Sequence, residues 1–241
     1  MQELQSKEYL FQIINQAYEE MDFELGWSLL YGKFENLWNP KYPIAFFGLN
    51  LGGKINHGFN ISNEKGSSYL CEDWGAGIGK SPLQLQIASL YKAIANSLGP
   101  TIKYEDLLNN SMATNFVPFR SANWEELNNK SRALEFSNKL WKERINLVPC
   151  SLYLTISKEA FNQILRILIE TDHVESSSPI SKKVGWGNVT YQINQFTKTN
   201  KKVVLIRLPH LSTYKIFSNE RCMSAINHLV SIAASHLEIM S

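Results

Sequence analysis

The sequence has few cysteines, almost no net charge and no long apolar run, and each shortage excludes a class of protein. Its three cysteines (Cys71, Cys150 and Cys222) are far apart in the sequence, and none forms a Cys-x-x-Cys pair. This spacing argues against a disulfide framework and a structural zinc site. The 24 Lys and Arg residues nearly balance 22 Asp and Glu residues, unlike the strongly basic composition of a bulk nucleic-acid binder. No apolar stretch approaches the ~20 residues of a membrane span, and no signal peptide is evident. We expect a cytoplasmic protein with reduced thiols and no membrane partner.

Short apolar runs alternate with amphipathic segments along the chain. This alternation predicts an α/β fold with a mainly parallel sheet and helices on both faces. One domain over 1–241 is expected, with a helical segment over 1–40 packed on it. The predicted strands cover 44–47, 111–117, 152–156, 189–196 and 203–206. The predicted helices cover 6–25, 82–98, 124–144, 158–168 and 219–239.

Two stretches are predicted to be irregular. The segment from Gly48 to Gly79 holds eight of the 13 glycines, a composition that allows close approach to a ligand. Residues 172–187 are rich in serine and lysine and read as a loop.

Polar side chains follow four of the predicted strands. In open parallel sheets, ligands bind beyond the carboxyl ends of the strands, so these side chains are expected to share one edge. Two carboxamides and one imidazole stand there, whereas no nucleophile-elbow or metal-ligand motif is present. The four segments begin at Gly48 (Gly-Leu-Asn-Leu-Gly-Gly), Thr114 (Thr-Asn-Phe-Val-Pro-Phe-Arg), Ile156 (Ile-Ser-Lys-Glu-Ala-Phe) and Leu208 (Leu-Pro-His-Leu-Ser).

These segments resemble the motifs of the uracil-DNA glycosylase superfamily, in its mismatch-specific and single-strand-selective branches. Gly48-Leu49-Asn50 followed by Gly52 is similar to the first family motif, and Asn115 with Pro118 is similar to the pyrimidine-reading asparagine of the second strand. The segment 156–161 is similar to the strand-Gly-Lys-x-Ala turn, and the segment 210–212 is similar to the His-Pro-Ser motif. The resemblance implies a three-layer α/β/α fold around a central, mainly parallel four-stranded sheet.

The resemblance also implies a function. A family member hydrolyses the N-glycosidic bond of uracil or a modified base that is flipped out of DNA. Asn50 would orient the attacking water, His210 would donate a hydrogen bond to the leaving base, and Asn115 would read the Watson–Crick edge. The chain would act as a monomer on single- or double-stranded DNA, without cofactor or metal, and would be nucleoid-associated if bacterial.

The remaining site residues are inferred in the same way. The base would contact the first motif and stack on one of three aromatic rings, and DNA would meet residues after His210, with Tyr214 as a wedge. The predicted base-contacting residues are Gly48, Leu49, Leu51, Gly52, Phe59, Tyr69 and Trp74. The predicted DNA-contacting residues are Ser212, Tyr214 and Lys215, with Lys201, Lys202 and Arg207 as further phosphate contacts.

Three departures from the family pattern leave alternatives open. Leu51 and Leu211 stand where the family has proline, and Ser157 stands where it has glycine. A catalytically impaired nucleic-acid-binding protein of the same fold is therefore the alternative function. Asn50 and His210 also have explanations that involve no substrate. Asparagine tolerates the left-handed backbone of a turn, and the histidine side chain can form hydrogen bonds with backbone groups.

A third hypothesis is a nucleotide-binding P-loop at residues 74–81. This segment ends in Gly-Lys-Ser, as a P-loop does, but Trp74 stands where that motif needs glycine. The residues before it do not read as a buried strand. A triphosphate site is therefore the least favoured reading, although amides at the start of the next helix could hold one phosphate of DNA.

Overall fold

The computed structural model describes residues 6–237, and within this range helices and strands alternate along most of the chain. The helices are α1 (Lys7–Glu20), α2 (Glu35–Trp38), α3 (Ser68–Cys71), α4 (Pro82–Leu98), α5 (Tyr104–Asn109), α6 (Lys130–Leu147), α7 (Lys158–Glu170) and α8 (Met223–Ser235). The strands are β1 (Trp27–Ser28), β2 (Ile44–Gly52), β3 (Phe59–Asn60), β4 (Met112–Ser121), β5 (Leu152–Thr155), β6 (Val174–Glu175), β7 (Ile180–Lys183), β8 (Thr190–Lys198) and β9 (Lys201–Arg207).

The strands form a mixed sheet in the order β3-β1-β4-β2-β5-β9-β8-β6, with β7 paired to β8. Its centre, β4-β2-β5-β9, is parallel, as the helical connections predict. The prediction of a four-stranded sheet is nevertheless wrong, because the sheet described here has nine strands. β8 runs antiparallel to β9 because Thr199 and Asn200, both with positive φ, join them in a tight hairpin that is too short for a crossover.

Alternate side chains of the central strands enter two hydrophobic cores, one on each face of the sheet. Phe47 packs with apolar residues of α1, α6 and α7, whereas Phe46 packs with those of α4, α5 and α8. Leu10 and Ile14 bring α1 into the first core, so this helix is packed on the sheet. Helices therefore cover both faces, an arrangement compatible with a three-layer α/β/α fold.

Strands β2 and β4 run further than predicted. β2 continues through the Gly-Leu-Asn motif to Gly52, and β4 continues through Pro118 to Ser121. Asn50 pairs with Val117 but the next residue of β2 pairs with Arg120, so Pro118 lies in a register shift. A proline has no N–H to donate to a ladder, and the shift accommodates it without ending the strand.

Other boundaries also differ from the prediction. The predicted helix over 124–144 begins as a short 3-10 turn, and α6 starts only after Asn129, which is left-handed. The prediction of a loop over 172–187 is wrong, since this stretch contains β6 and β7. Both strands are short and mostly exposed, and so lack the alternation that marks a half-buried strand. The last helix is shorter than predicted, and residues 238–239 of that prediction lie outside the described residues. In the described part of the chain, no helix has the length and apolar character to cross a bilayer.

Candidate functional site

A cleft of about 1530 Å³ opens at the carboxyl ends of the four parallel strands. Each of these strands, or the two or three residues that follow it, contributes a polar side chain to the lining: Asn50 from β2, Asn115 from β4, Ser157 after β5 and His210 after β9. The amide of Asn50 and the imidazole of His210, on which the inferred chemistry depends, therefore line the same cleft. The other predicted residues in the lining are Gly48, Leu49, Leu51, Gly52, Tyr69, Trp74, Arg207 and Tyr214.

Asn50 is held in one orientation by Ser121. The Ser121 hydroxyl donates to the carbonyl of Asn123 (2.7 Å), so its oxygen accepts the hydrogen bond that Asn50 Nδ2 donates (2.7 Å). A second bond runs from Asn50 Nδ2 to the carbonyl of Leu51 (3.2 Å). The Oδ1 atom of Asn50 is left available as an acceptor at the cleft. Asn50 lies in extended backbone inside β2, so a left-handed turn does not explain this residue.

Asn115 lies against Gly48 on the neighbouring strand. Asn115 is buried, and its Nδ2 donates to the hydroxyl of Tyr31 (2.7 Å). A Cβ at residue 48 would come within 2.0 Å of Asn115 Oδ1, so only glycine leaves room for this amide. Burial raises the pKa of Tyr31 to about 12, which keeps its hydroxyl protonated at neutral pH.

His210 stands in a turn at the mouth of the cleft. Its Nδ1 lies 2.8 Å from the hydroxyl of Ser212, and its carbonyl accepts the backbone N–H of Tyr214 (2.9 Å). Partial burial lowers the pKa of His210 below its ordinary value, which favours the neutral imidazole. The His210 ring is thus paired with the side chain of Ser212, and only the carbonyl of His210 bonds to backbone.

Leu51 and Leu211, which stand where the resembled family has proline, are both buried. Leu211 is inaccessible to solvent and belongs to the core between the sheet and α4, α5 and α8. Leu51 is 4% exposed and pairs with Arg120 in the sheet. Burial of the two leucine side chains thus holds both segments in place, whereas a proline ring at the same positions would do so by restricting φ.

Two of the three aromatic candidates lie together in the cleft. Trp74 and Tyr69 make an edge contact with ring centroids 5.4 Å apart, and Tyr31 completes the cluster. Glu72 accepts the indole N–H of Trp74 (2.8 Å) and fixes the ring. Phe59 lies outside the cleft lining, and its ring packs on Phe11, Tyr18 and Trp27. Alternate residues of a strand point to opposite faces, and in β3 it is the next residue, Asn60, that lines the cleft.

The structure does not bring every predicted DNA contact to the cleft. Ser212 and Lys215 lie outside its lining, although Ser212 contacts His210. Lys201 and Lys202 lie at the opposite end of β9 from the cleft, exposed beside the hairpin turn. Arg207, at the carboxyl end of the same strand, does line the cleft.

The P-loop reading has no structural support. Asp73 Oδ1 accepts the backbone N–H groups of Gly75, Ala76 and Gly77, which are the amides that would have to meet a phosphate. Ser81 and its capping partner Gln84 satisfy each other at the start of α4. These amides are therefore already bonded to the side chain of Asp73. The residues before the segment form α3 and the isolated bridge of Asp73 with Ile78, not a buried strand.

Sequence reasoning assigned no role to four side chains that shape the site: Tyr31, Glu72, Arg120 and Ser121. Tyr31, Glu72 and Arg120 line the cleft, and Ser121 orients Asn50. Tyr31 precedes the first predicted strand and carries no motif. Arg120 and Ser121 follow Pro118, where β4 was expected to end.

The chain matches no protein-family model, and comparison with curated proteins finds no match. Within residues 6–237, no three His, Cys, Asp or Glu side chains gather into a set that could hold a metal ion. The function is therefore argued from the chemistry of the cleft.

Proposed function

We propose that the protein is a DNA glycosylase that hydrolyses the bond between deoxyribose and uracil or a modified base flipped out of DNA. The observation that carries this proposal is the presence of Asn50, Asn115 and His210 on one cleft at the carboxyl ends of parallel strands. An amide acceptor, an amide reader and an imidazole donor suffice for the reaction in principle, because the reaction needs an oriented water and a stabilised leaving base.

Asn50 orients the attacking water. Its Nδ2 is committed to Ser121, so Oδ1 accepts a hydrogen bond from a water placed below C1′ of the sugar. The C1′–N bond breaks with its electron pair on the base, and the water oxygen bonds to C1′ as its proton passes to solvent. An amide is too weakly basic to remove that proton early, so Asn50 acts by positioning.

His210 stabilises the departing base. When its Nδ1 accepts a hydrogen bond from the Ser212 hydroxyl, the neutral ring carries its proton at Nε2, and this N–H donates to the negative oxygen of the base. The lowered pKa of His210 supports this neutral form near pH 7. Removal of one such donor commonly costs about 10²–10³ in rate.

Trp74 is the better stacking partner for the base. Tyr69 is only 2% exposed, whereas Trp74 is partly exposed and has its indole N–H fixed by Glu72. Asn115 offers Oδ1 and one remaining N–H to the edge of the base, since its other N–H is donated to Tyr31.

The test is mass analysis of bases released from a panel of damaged and modified oligonucleotides. We expect a released base with the wild-type chain, and a fall of about 10²–10³ in rate for Asn50→Ala and for His210→Ala. Asn146→Ala is the control, because Asn146 is exposed on α6 and, among residues 6–237, its side chain hydrogen-bonds only to Lys198. Unfolding temperatures of all variants should match.

Two results would contradict the proposal. Release at an unchanged rate in both site variants would exclude the mechanism. Salt-sensitive binding of DNA without release of any base across the panel would favour the alternative, a nucleic-acid-binding protein that has lost catalysis, as the leucines at 51 and 211 suggest.

A further inference from the structure

The hairpin between β7 and β8 ends beside the cleft. Because β8 runs antiparallel to β9 and β7 antiparallel to β8, the hairpin tip, residues 184–189, stands at the same edge of the sheet as the carboxyl end of β9. Asn188 and Val189 of the tip line the cleft, as does Thr190 at the start of β8. The tip therefore borders the cleft on its β9 side, where His210 stands.

One exposed aromatic side chain stands on this tip. Trp186 lies between Gly185 and Gly187, which both have positive φ, and it is 38% exposed. A Cβ at residue 185 would come within 2.1 Å of the carbonyl oxygen of Arg221, so only glycine lets the tip pack against that turn. Val184 is buried in the core on the α4, α5 and α8 face of the sheet. The backbone before Trp186 is thus anchored while its indole stays accessible.

Hydrogen bonds close the tip into a turn. The backbone N–H of Val184 donates to the carbonyl of Val189 (2.9 Å), and the N–H of Val189 donates to the carbonyl of Trp186 (3.0 Å). Across the same turn, Lys183 Nζ donates to Asn188 Oδ1 (3.0 Å). The turn therefore presents Trp186 from a backbone that is already hydrogen-bonded.

Tyr214 connects Trp186 to the turn of His210. The rings of Trp186 and Tyr214 meet edge to face, with centroids 6.1 Å apart. Tyr214 lines the cleft, and its backbone N–H bonds to the carbonyl of His210 (2.9 Å), whereas Trp186 lies outside the lining. Trp186 therefore stands at the mouth of the cleft, next to the segment that carries the proposed donor to the leaving base.

Trp186 is too far from Asn115 to meet the same base. Asn115 stands on β4, and β2, β5 and β9 separate this strand from β8 in the sheet. Four strand spacings amount to ~19 Å, which is longer than one nucleoside. A base that contacts Trp186 therefore belongs to a different nucleotide from the one that Asn115 and Trp74 would hold.

An accessible indole is suited to stacking on a base. Such stacking tolerates any sequence, because every base has a flat π-face. In a duplex, the neighbours of a base already cover both of its faces, so an indole beside the cleft finds a free face only on an unpaired strand. Trp186, with Tyr214 packed against it, therefore fits a single strand better than a duplex.

We propose that Trp186 is a stacking platform for a base beside the extruded nucleotide, and that the strand bound there is single-stranded. The inference rests on the proposed function, because it takes the cleft as the place of the extruded nucleotide. It narrows the substrate to DNA in which at least one base next to the target is unpaired.

The test compares two fluorescein-labelled single strands of equal length by anisotropy, in a chain that carries Asn50→Ala to prevent turnover. One strand is oligodeoxyadenylate with a central uracil, and the other has abasic spacers in place of every base. Trp186→Ala should weaken binding of the first strand about ten-fold and leave binding of the second unchanged, because both carry the same phosphates. Trp186→Phe should retain most of the affinity, since an aromatic ring remains.

Two controls accompany this comparison. Phe11→Ala is the matched variant, because Phe11 is an aromatic residue of similar exposure (40%) that lies on α1 outside the cleft lining, and its loss should not change binding. The uracil strand paired with its complement gives the second control, and Trp186→Ala should leave the affinity for this duplex unchanged.

The outcomes separate the stacking platform from the glycosylase. An unchanged affinity of Trp186→Ala for the first strand, or an equal loss on the abasic strand or in Phe11→Ala, would overturn the platform whether or not bases are released. An equal loss on the duplex would contradict the choice of a single strand. A loss confined to the first strand, with no base released by the unmodified chain, would support the platform and contradict the glycosylase. Matching unfolding temperatures exclude misfolding as the cause.

Discussion

At the residue scale, the cleft depends on contacts that allow little variation. Ser121 determines which atom of Asn50 faces the cleft, and Gly48 leaves the space that Asn115 occupies. Neither Ser121 nor Gly48 needs to touch a substrate. Both act through the strands on which they stand, because β2 and β4 pair in register up to Asn50.

A methyl group at residue 48 tests this packing. Gly48→Ala would bring Cβ within 2.0 Å of Asn115 Oδ1, so we expect a loss of about 1–3 kcal/mol in the free energy of unfolding. Base release should fall as well, since Asn115 must move. Gly52→Ala is the control, because nothing lies within 4 Å of a Cβ at that position. Urea unfolding that gave equal losses for the two variants would disprove the role of Gly48.

At the element scale, α7 begins directly at the cleft and is capped there by a side chain. Ser157 Oγ accepts the backbone N–H groups of Glu159 (3.2 Å) and Ala160 (3.4 Å). The first turn of a helix has unpaired N–H groups, so a serine at this position stabilises the helix. This contact gives a physical reason for serine where the resembled family has glycine.

Substitutions of Ser157 should therefore change stability as substitutions at other helix N-caps do, with alanine costing more than glycine. We expect Ser157→Ala to lower the free energy of unfolding by about 1 kcal/mol, and Ser157→Gly by only a few tenths of that amount. For a chain of this size, 1 kcal/mol corresponds to a fall of about 2–4 °C in Tm. Calorimetry of both variants checks the order, and an alanine variant as stable as the glycine variant would show that the cap contributes nothing.

At the scale of the whole molecule, stability comes from two hydrophobic cores and only slightly from surface charge. The six ion pairs of the described residues join partly or fully exposed side chains, and such pairs contribute about 0–1 kcal/mol each. The dependence of stability on pH should therefore reflect buried titratable groups. His173, after α7, is 3% exposed, and its Nε2 is buried without a partner.

His173 should make the molecule less stable in acid. Burial, with Lys198 adding repulsion, lowers its pKa below the ordinary value of 6.5, so the unfolded chain binds the proton more readily. Its contribution is complete above pH ~6.5 and is lost as the pH falls through the folded pKa. Urea unfolding should show a larger loss between pH 8 and pH 5 for the wild type than for His173→Gln. Equal losses would exclude His173 as the source.

The sequence by itself determined the elements and the order of the polar groups along the chain. Apolar runs such as 203–206 and amphipathic stretches such as 158–168 predicted strands and helices correctly, because burial on one or both faces leaves a periodic pattern in the residues. That pattern also predicted that Asn50, Asn115 and His210 would meet at one edge, since parallel strands end on the same side.

Only the tertiary structure decided the number of strands, which atoms of the site residues face the cleft, and which side chains those residues contact. The edge strands β6 and β7 are exposed and leave no pattern, and the register shift at Pro118 depends on pairing with β2. Phe59 turns away from the cleft and Trp74 turns into it, although both stand in the same glycine-rich segment. The contacts of Arg120 and Ser121 join residues about 70 positions apart, and no local pattern records such contacts.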